Sequence, residues 1–420
     1  MSKILIIGGG AAGMMAGVYL ARAGHEVHIL EKNEKLGKKV YITGKGRCNV
    51  TNNCDTEELF RAVMSNPKFL YSAFYSFTPQ DVMEFFEEAG VPLKTERGNR
   101  VFPVSDHSSD IIRGLERELK KAGAHIHLRT EVKTVKVSPY EEPDVDEKKA
   151  HHSRVTGVEL ADGSFMEGDH VLVATGGLSY QSTGSTGDGY RFAEETGHKV
   201  KELSPSLVPL KTKEDYIPRL QGLSLKNTEL TIKSGKKVLF RDFGEMMFTH
   251  FGVTGPMILS ASAHMRNMEP CRYEIYVDMK PALDDEKLDA RILREMSENS
   301  NKAISNLVGL LLPRAIINPV VRLSGIKNST KCNQLTKEER KRLAHTIKNL
   351  KLTVLRFRPI SEAVITSGGV DVNELSPKTM ESKLCRNLYF AGEVIDVDAY
   401  TGGFNLQIAF STGFAAGNAQ

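Results

Sequence analysis

Three things are scarce in this 420-residue chain, and each scarcity excludes something. Cysteine is the first. Cys48, Cys54, Cys271, Cys332 and Cys385 are odd in number and scattered, with no C-x-x-C pair. That excludes a disulfide framework and a dithiol redox pair, argues against a zinc site, and fits a reducing cytoplasm. Long apolar runs are the second. The one nearly uncharged stretch, Ile4 to Ala21, is broken by repeated glycines and shows no small-residue cleavage pattern, and no comparable run follows. Neither a signal peptide nor a membrane span is expected. Charge of one sign is the third. Lys plus Arg number 56 and Asp plus Glu 52, interspersed, for a net charge of +4, which neither implies nor excludes nucleic acid. The remaining composition, 40% hydrophobic and 26% charged, is that of a globular protein long enough for more than one domain.

What is present begins at once. Lys3 to Ile7 is an apolar run too short for a helix and right for a buried parallel strand. It enters Gly8-Gly9-Gly10-Ala11-Ala12-Gly13, then a helical stretch Met14 to Ala23, then a strand Glu26 to Leu30 ending at Glu31. This is G-x-G-x-x-G in the setting its physics requires. Gly8 allows the turn, Gly10 lets backbone approach a pyrophosphate, and Gly13 lets the helix pack on the strand. The helix N-terminus offers free N–H groups to phosphate, and Ala11 and Ala12 of the turn join the cofactor candidates. Glu31 stands where a carboxylate accepts from a ribose 2′-hydroxyl, which favours FAD or NAD over NADP. No second fingerprint exists: Gly184 to Gly189 has the wrong spacing and no acid-ended strand follows. A dedicated nicotinamide domain is therefore not expected, which leaves NAD(P)H the place of a transient reductant.

The segment after Glu31 is too rich in Gly, Lys and Asn for a regular element and reads as a long loop. It brings Lys32, Lys38, Thr43, Gly44, Gly46, Arg47, Cys48 and Asn49 as candidates to lie along the cofactor. Thr78-Pro79-Gln80-Asp81 reads as a helix start with Thr78 as N-cap, and Val82, Phe85, Phe86 and Ala89 as the buried face. Asp106 to Ser109 is expected to cap a helix from Ile111 to Ala122. His125 and His127 alternate with apolar residues and read as one face of a strand rather than a metal pair. Val132 stands where a third strand offers its backbone to adenine. Residues 138–153 form a charged hairpin loop. His170 to Thr175 is an apolar strand ending in small residues, so Ala174, Thr175, Gly176 and Gly177 join the candidates. From about residue 199 short alternating runs point to a small antiparallel sheet or barrel. Helices are expected at Glu286–Asn299, Lys302–Leu312, Ala315–Leu323 and Lys337–Leu350, before a strand Thr353–Arg358. The last sixty residues return to α/β character, with a strand Asn387–Ala391 and a buried helix Asn405–Ala416.

Five segments, GGGAAG with Glu31, TGKGRCNVTN, ATGG, THFGVTGP and NLYFAGEVIDVDAYTGGFNLQIAFSTG, together resemble the bacterial flavoproteins called BaiN- or YhiN-like. These are also described as aminoacetone-oxidase-family or "NAD(FAD)-utilizing dehydrogenase" proteins. The resemblance covers essentially the whole chain. It implies an α/β fold: a glutathione-reductase-like FAD-binding Rossmann domain interrupted by an insert of a β-barrel and a small helical domain. The expected division is 1–195 and 364–420 for the FAD domain, 196–282 and 351–363 for the barrel, and 283–350 for the helices. The resemblance further implies that Gly392, Glu393 and Asp396 contact the phosphate and ribitol region. The helix opening with Gly403, Phe404, Asn405, Leu406 and Gln407 would aim its N-terminus at the flavin, where reduced flavin carries negative charge. One family name comes from a reductase of 3-oxo bile-acid intermediates.

The expected activity is an FAD-dependent oxidoreductase that moves hydride between flavin N5 and a small organic substrate, an enone or other 3-oxo compound or an amine. The insert would cap the flavin. Thr249, His250 and Tyr400 are the candidates for substrate contact or proton transfer, since imidazole titrates near neutrality. No metal is needed. Two other classes compete: a flavoprotein that acts on or binds RNA, and a non-catalytic flavin sensor. The basic stretch Lys331–Lys351 motivates the RNA class but reads as a solvated helix face without stacking aromatics, so nucleic acid is disfavoured as a partner. The oligomeric state is left open.

Overall fold

A computed structural model describes residues 1–140 and 151–419. The chain forms two compact units, Met1–Ser206 with Ile360–Gln420, and Leu207–Pro359. The hairpin loop expected at 138–153 lies largely outside the described residues.

The first unit is built on five parallel strands in the order Leu388–Phe390, His170–Val173, Lys3–Ile7, Glu26–Glu31, His125–Leu128. The Lys3–Ile7 strand is central, and Ile4, Leu5 and Ile6 are fully buried, as both faces of a parallel sheet must be. The chain leaves this strand toward one neighbour and returns later to the other. The order therefore reverses beside Lys3–Ile7, the place where α/β sheets bind ligands. Helix Ala11–Arg22 covers the sheet and is buried along nearly its whole length. Its closeness to the strand depends on Gly13, where a Cβ would lie 2.1 Å from the Gly8 carbonyl oxygen. His28, His125 and His127 share one face across the strand pair and stack at 4.8 and 5.2 Å.

Local sequence signals account for several element ends. Thr78 and Asp81 form a reciprocal capping box on helix Pro79–Glu88. Helix Ser108–Ala122 stops at left-handed Gly123, but its N-cap is His107, which supplies no side-chain bond, so the expected cap in 106–109 does not form. The segment after Glu31 is more ordered than its composition predicts. It contains a short helix Lys38–Ile42, a 3-10 turn Thr43–Gly46 and a strand Thr51–Asn52. Val40 is buried there, and that contact overrides weak local propensity.

The second unit contains a closed six-stranded barrel. Its order is Leu210–Thr212, Gly252–Thr254, Lys237–Phe248, Ser224–Ser234, Glu274–Asp278, Leu350–Phe357, returning to Leu210–Thr212. Alternate residues face inward: Leu230, Ile232, Ile275, Val277, Leu350, Leu352 and Val354 are fully buried. Each such side chain contributes about 1.5–3 kcal/mol, against about 0–1 kcal/mol for an exposed ion pair such as Lys351–Glu274. The apolar alternation therefore sets the register. Helices Asp285–Glu298, Ile304–Val308, Arg314–Leu323 and Lys337–Lys348 lie between the last two barrel strands. The second is shorter than the expected Lys302–Leu312. Ala303 bridges Lys331 before it, and Pro313 disfavours helix at its other end. Residues 196–206 and 360–363, assigned to the barrel from sequence, belong to the first unit, where Ser204–Ser206 pairs with Ile365–Ser367. No helix among the described residues is long and apolar enough to cross a membrane.

His198 is buried in the first unit, with its ring bonded to Ser382 Oγ at 2.7 Å and Thr196 Oγ1 at 3.0 Å. Burial pushes it from 6.5 down to about 4. The unfolded chain therefore takes up this proton first as pH falls, and stability present above pH 6.5 is lost toward pH 4. His198→Gln should reduce the pH slope of unfolding free energy in this window by up to about 1.4 kcal/mol per pH unit. Denaturant titrations across the window check this, and an unchanged slope refutes it.

Candidate functional site

The glycine turn and three distant segments meet at the C-terminal edge of the central sheet. Gly8 has a φ of +106°, and a Cβ there would lie 2.6 Å from the Ala174 carbonyl oxygen, so the turn and Ala174–Gly177 are in contact. Gly10 differs: a Cβ would meet nothing nearer than 4.0 Å, which leaves its backbone open to a ligand. Helix Ala11–Arg22 begins with no side-chain cap and no acid in its first turn. Its first N–H groups are therefore available to an anion.

Glu31 accepts from Gly9 N at 2.8 Å and from Asn33 N and Nδ2 at 2.8 and 2.6 Å. Asn33 was not picked out from sequence; two residues after the acid, its backbone N–H and its amide both reach back to the same carboxylate oxygen. Thr130 N donates to the Glu31 carbonyl, which brings the chain before Val132 to the same strand end. Lys32 is bound by Thr186 and Asp188, at 2.5 and 2.6 Å, and Lys38 by Asn33 and Glu34, at 3.2 and 3.3 Å.

The C-terminal helix, Phe404–Gly417, packs on the first helix without intervening side chains. A Cβ on Gly413 would lie 2.5 Å from the Ala12 carbonyl oxygen, and one on Gly417 would lie 3.0 Å from that of Ala16. Advancing four residues on one helix matches four on the other, so the two run parallel. Eight residues of the C-terminal helix precede Thr412, the residue level with Ala11, which staggers the two N-termini by about 12 Å. The second N-terminus, capped only by left-handed Gly403, likewise has no side-chain cap and no acid in its first turn. Two uncapped helix starts facing the same way along one sheet edge suit an extended ligand with two electron-rich parts.

Several candidates hold this frame together. Gln407 is fully buried, accepts from Thr51 Oγ1 at 2.5 Å and donates to Phe77 O and Ser411 Oγ, both at 2.9 Å. Asn405 bonds the backbone of Ala399 and Tyr400. Gly392 N donates to Thr412 Oγ1. The Glu393 carboxylate is held by Lys39 at 2.6 Å, Thr366 N at 2.9 Å and Ser179 at 3.1 Å. Asp396 accepts from Asn66, and Arg47 is bound by Glu96 and Asp106 while its guanidinium lies 4.1 Å over the Phe102 ring. Thr43 donates to Val40 O. Cys48 is buried and desolvation pushes its thiol up to about 12, so burial disfavours the thiolate near neutral pH. Asp398, buried and bonded to Ser65, Ser206 and Ser367, is a further fixed acid that no local pattern marks.

Nine buried side-chain polar atoms among the described residues have no protein partner, and three of them, Asn49 Oδ1, Asn52 Oδ1 and Thr175 Oγ1, belong to the 43–52 and 174–177 segments. Buried polar atoms are almost always bonded, so each orphan calls for an explanation, and a bound ligand would supply one for these three. Two of the three, Asn49 and Thr175, are among the residues expected to line the cofactor. Together with the open Gly10 backbone and two free helix starts, the residues fit FAD. Gly8 to Gly13, Glu31, Ala174 to Gly177 and the Gly403 helix start are the ones that would hold it.

The catalytic candidates divide between the units. Thr249 and His250 form the tip of the hairpin joining Lys237–Phe248 to Gly252–Thr254. Thr249 Oγ1 accepts from Gly252 N at 3.1 Å, and His250 is exposed with its ring 5.0 Å from Phe251. Tyr400 belongs to the first unit, where its N–H donates to Ala62 O.

A family model described as "HI0933-like protein Rossmann domain" matches residues 2–419. The 3-dehydro-bile acid delta(4,6)-reductase of Clostridium scindens is 30% identical, over 100% of this chain and 99% of its own length. The ribosomal RNA dihydrouridine synthase of Haemophilus influenzae is also 30% identical, over 99% of this chain and 97% of its own. The solved 3-ketosteroid delta1-dehydrogenase of Sterolibacterium denitrificans shares the fold, with a TM-score of 0.52 and 14% identity over 99% of this chain and 98% of that one.

Two glycine substitutions separate packing from binding. Gly10→Ala should leave the fold intact and weaken FAD binding about tenfold or more, whereas Gly13→Ala should destabilise the protein with or without flavin. Bound-flavin absorbance and thermal unfolding of the apoprotein read the two effects. Normal flavin content in Gly10→Ala removes the turn from the binding site.

Proposed function

Because this chain belongs to the HI0933-like Rossmann family, we propose that it is an FAD-dependent reductase of carbon–carbon double bonds conjugated to a carbonyl. A 3-oxo steroid with double bonds at positions 4 and 6 and a uracil ring share that one reactive unit. At the 4-ene of the steroid and at the 5,6 bond of uracil, hydride would add to the carbon β to the carbonyl and a proton to the α carbon; at the 6-ene the same polarisation acts one double bond further out, with hydride at the δ carbon. The observation that carries the reading is the pair of uncapped, parallel helix starts beside three orphaned polar atoms.

FAD, when bound, supplies the hydride at its isoalloxazine ring. The chain's own tasks are then separable. The glycine turn and first helix hold the diphosphate, and Glu31 the ribose. The N–H groups of the Gly403 helix start favour negative charge on the flavin ring. A proton must also reach the α carbon, and His250 is the proposed donor, with Thr249 and Tyr400 as substrate contacts. NAD(P)H serves as the transient reductant.

The preferred substrate is a small free enone. Uracil in RNA is the second reading, and a specific observation favours it. The expectation of interspersed charge holds for the whole chain but not for its units: Leu207–Pro359 carries 27 Lys plus Arg against 16 Asp plus Glu, and the first unit 29 against 36.

Anaerobic stopped-flow absorbance tests the class. Flavin should bleach with NADH or NADPH and recover on adding a 4-ene-3-oxo steroid, yielding the saturated ketone. Recovery with dioxygen alone would refute the reading. His250→Gln should slow the enone step about 100-fold with flavin content unchanged, and an unaltered rate would remove His250 from the chemistry.

A further inference from the structure

The positive charge of the second unit is concentrated in one stretch. Residues 207–298 are balanced, with 14 Lys plus Arg against 14 Asp plus Glu, whereas residues 299–359 hold 13 against 2. Four of those cations are paired: Arg322 with Asp215, Arg340 with Asp289, Lys348 with Asp278 and Lys351 with Glu274. Lys302, Arg314 and Lys331 are exposed and have no carboxylate partner among the described residues.

The fold brings the two lysines together, and the arginine lines a cavity bordered by the helix that follows the first of them. Ala303 and Lys331 form a bridge, and Cys332 N donates to Lys302 O at 2.9 Å, so Lys302 and Lys331 are neighbours across a short strand contact. The chain turns from there directly into helix Ile304–Val308. That helix and Arg314–Leu323 border an open cavity of about 570 Å³ lined by Ser305, Asn306, Arg314, Ala315, Ile317 and Asn318. The cavity thus carries one guanidinium, two amides and a hydroxyl, and the two lysines lie on the segments bridged immediately before its first helix.

We propose that this basic groove on the helical part of the second unit is a docking site for the phosphate backbone of structured RNA. The proposal deepens the reading in which uracil in RNA is the substrate, and rests on it for the choice of RNA among polyanions. Cations without carboxylate partners neutralise phosphates and release counterions. Arginine and amide side chains grip phosphate and ribose hydroxyls. Residues 299–350 contain no Phe, Tyr or Trp, which excludes a stacking platform for unpaired bases and selects backbone recognition of a folded strand.

The test uses the FAD-loaded full chain and a fluorescein-labelled RNA stem-loop of mixed sequence, read by anisotropy over a salt series. The triple substitution Lys302→Glu, Arg314→Glu, Lys331→Glu should weaken binding at least about tenfold and reduce the salt slope by about two to three. The glutamine triple at the same positions should act in the same direction. A control triple on exposed barrel lysines, Lys226→Glu, Lys236→Glu, Lys237→Glu, removes the same charge and should leave binding within about twofold. Bound-flavin absorbance and circular dichroism confirm that each variant is folded. Equal losses in both glutamate triples would reduce the effect to net charge and overturn the proposal. So would absence of RNA binding at low salt, or displacement of the RNA by phosphatidylglycerol vesicles. The substrate reading is scored separately, by mass spectrometry of the RNA for addition of two hydrogens to uracil. Binding that is lost in the groove triple, without that mass gain, supports the docking site and refutes uracil as substrate. Flavin reoxidation by enones without RNA binding does the reverse for docking and leaves the reductase intact.

Discussion

The approach of backbone to backbone around the first helix is the constraint on which the first unit depends. Gly13 lies under the Gly8 carbonyl, and Gly413 and Gly417 lie against the carbonyls of Ala12 and Ala16. A methyl group at Gly13, Gly413 or Gly417 would come 2.1 to 3.0 Å from main-chain oxygen, and main chain cannot swing aside as a side chain can. The absence of Cβ atoms makes the N-terminal strand, the first helix and the C-terminal helix one tight layer. It also fixes the direction and offset of the two helix starts. Binding geometry here is a by-product of packing: the residues that permit close contact are the ones that place the N–H groups.

A second consequence concerns the polar groups near those helices. Gln407, Asn405, Glu393 and Arg47 carry chemistry suited to a cofactor, yet each is saturated by protein partners. Such fixed networks hold a site to narrow tolerance, because an unpaired buried donor or acceptor costs about 1–3 kcal/mol. Among the buried polar atoms left unsatisfied, Asn49 Oδ1, Asn52 Oδ1 and Thr175 Oγ1 are the ones on the 43–52 and 174–177 segments, and there they are more telling than the saturated groups.

The same distinction explains what could be read from the amino-acid string. Features with a local physical cause are visible in it. The glycine turn is one, and the Thr78–Asp81 box and the alternation of the barrel strands are others. The family resemblance extended this to the whole architecture. Partner choice by charged side chains is not local. Arg47 meets Glu96 and Asp106 across about fifty residues, and Lys39 meets Glu393 from the far end of the chain. Nothing in the TGKGRC stretch distinguishes a lysine or arginine aimed at phosphate from one tied to a carboxylate. The short helix Lys38–Ile42 escaped for a related reason, since Val40 is stabilised by tertiary burial and not by its neighbours in sequence. Summed charge misled in the opposite sense: +4 over the chain conceals a division that only the boundaries at Ser206 and Ile360 expose.

Those boundaries bear on how such a fold can vary. The chain leaves the first unit after Ser204–Ser206 and returns into Ile365–Ser367, and these two strands pair antiparallel, Ser204 opposite Ser367 and Ser206 opposite Ile365. The Asp398 carboxylate accepts from Ser206 and Ser367, one hydroxyl from each strand, and so ties the departing and returning chain together. A clamp of this kind lets the first unit keep its geometry whatever lies between its ends. The inserted unit is closed in its own right, since a barrel has no free strand edge to satisfy. Substitutions among residues 207–359 are therefore constrained mainly by the barrel interior and the helical contacts, and the exposed faces are free to diverge. A family of one flavin fold with relatives named for a bile acid and for ribosomal RNA is what that partition of constraint would produce.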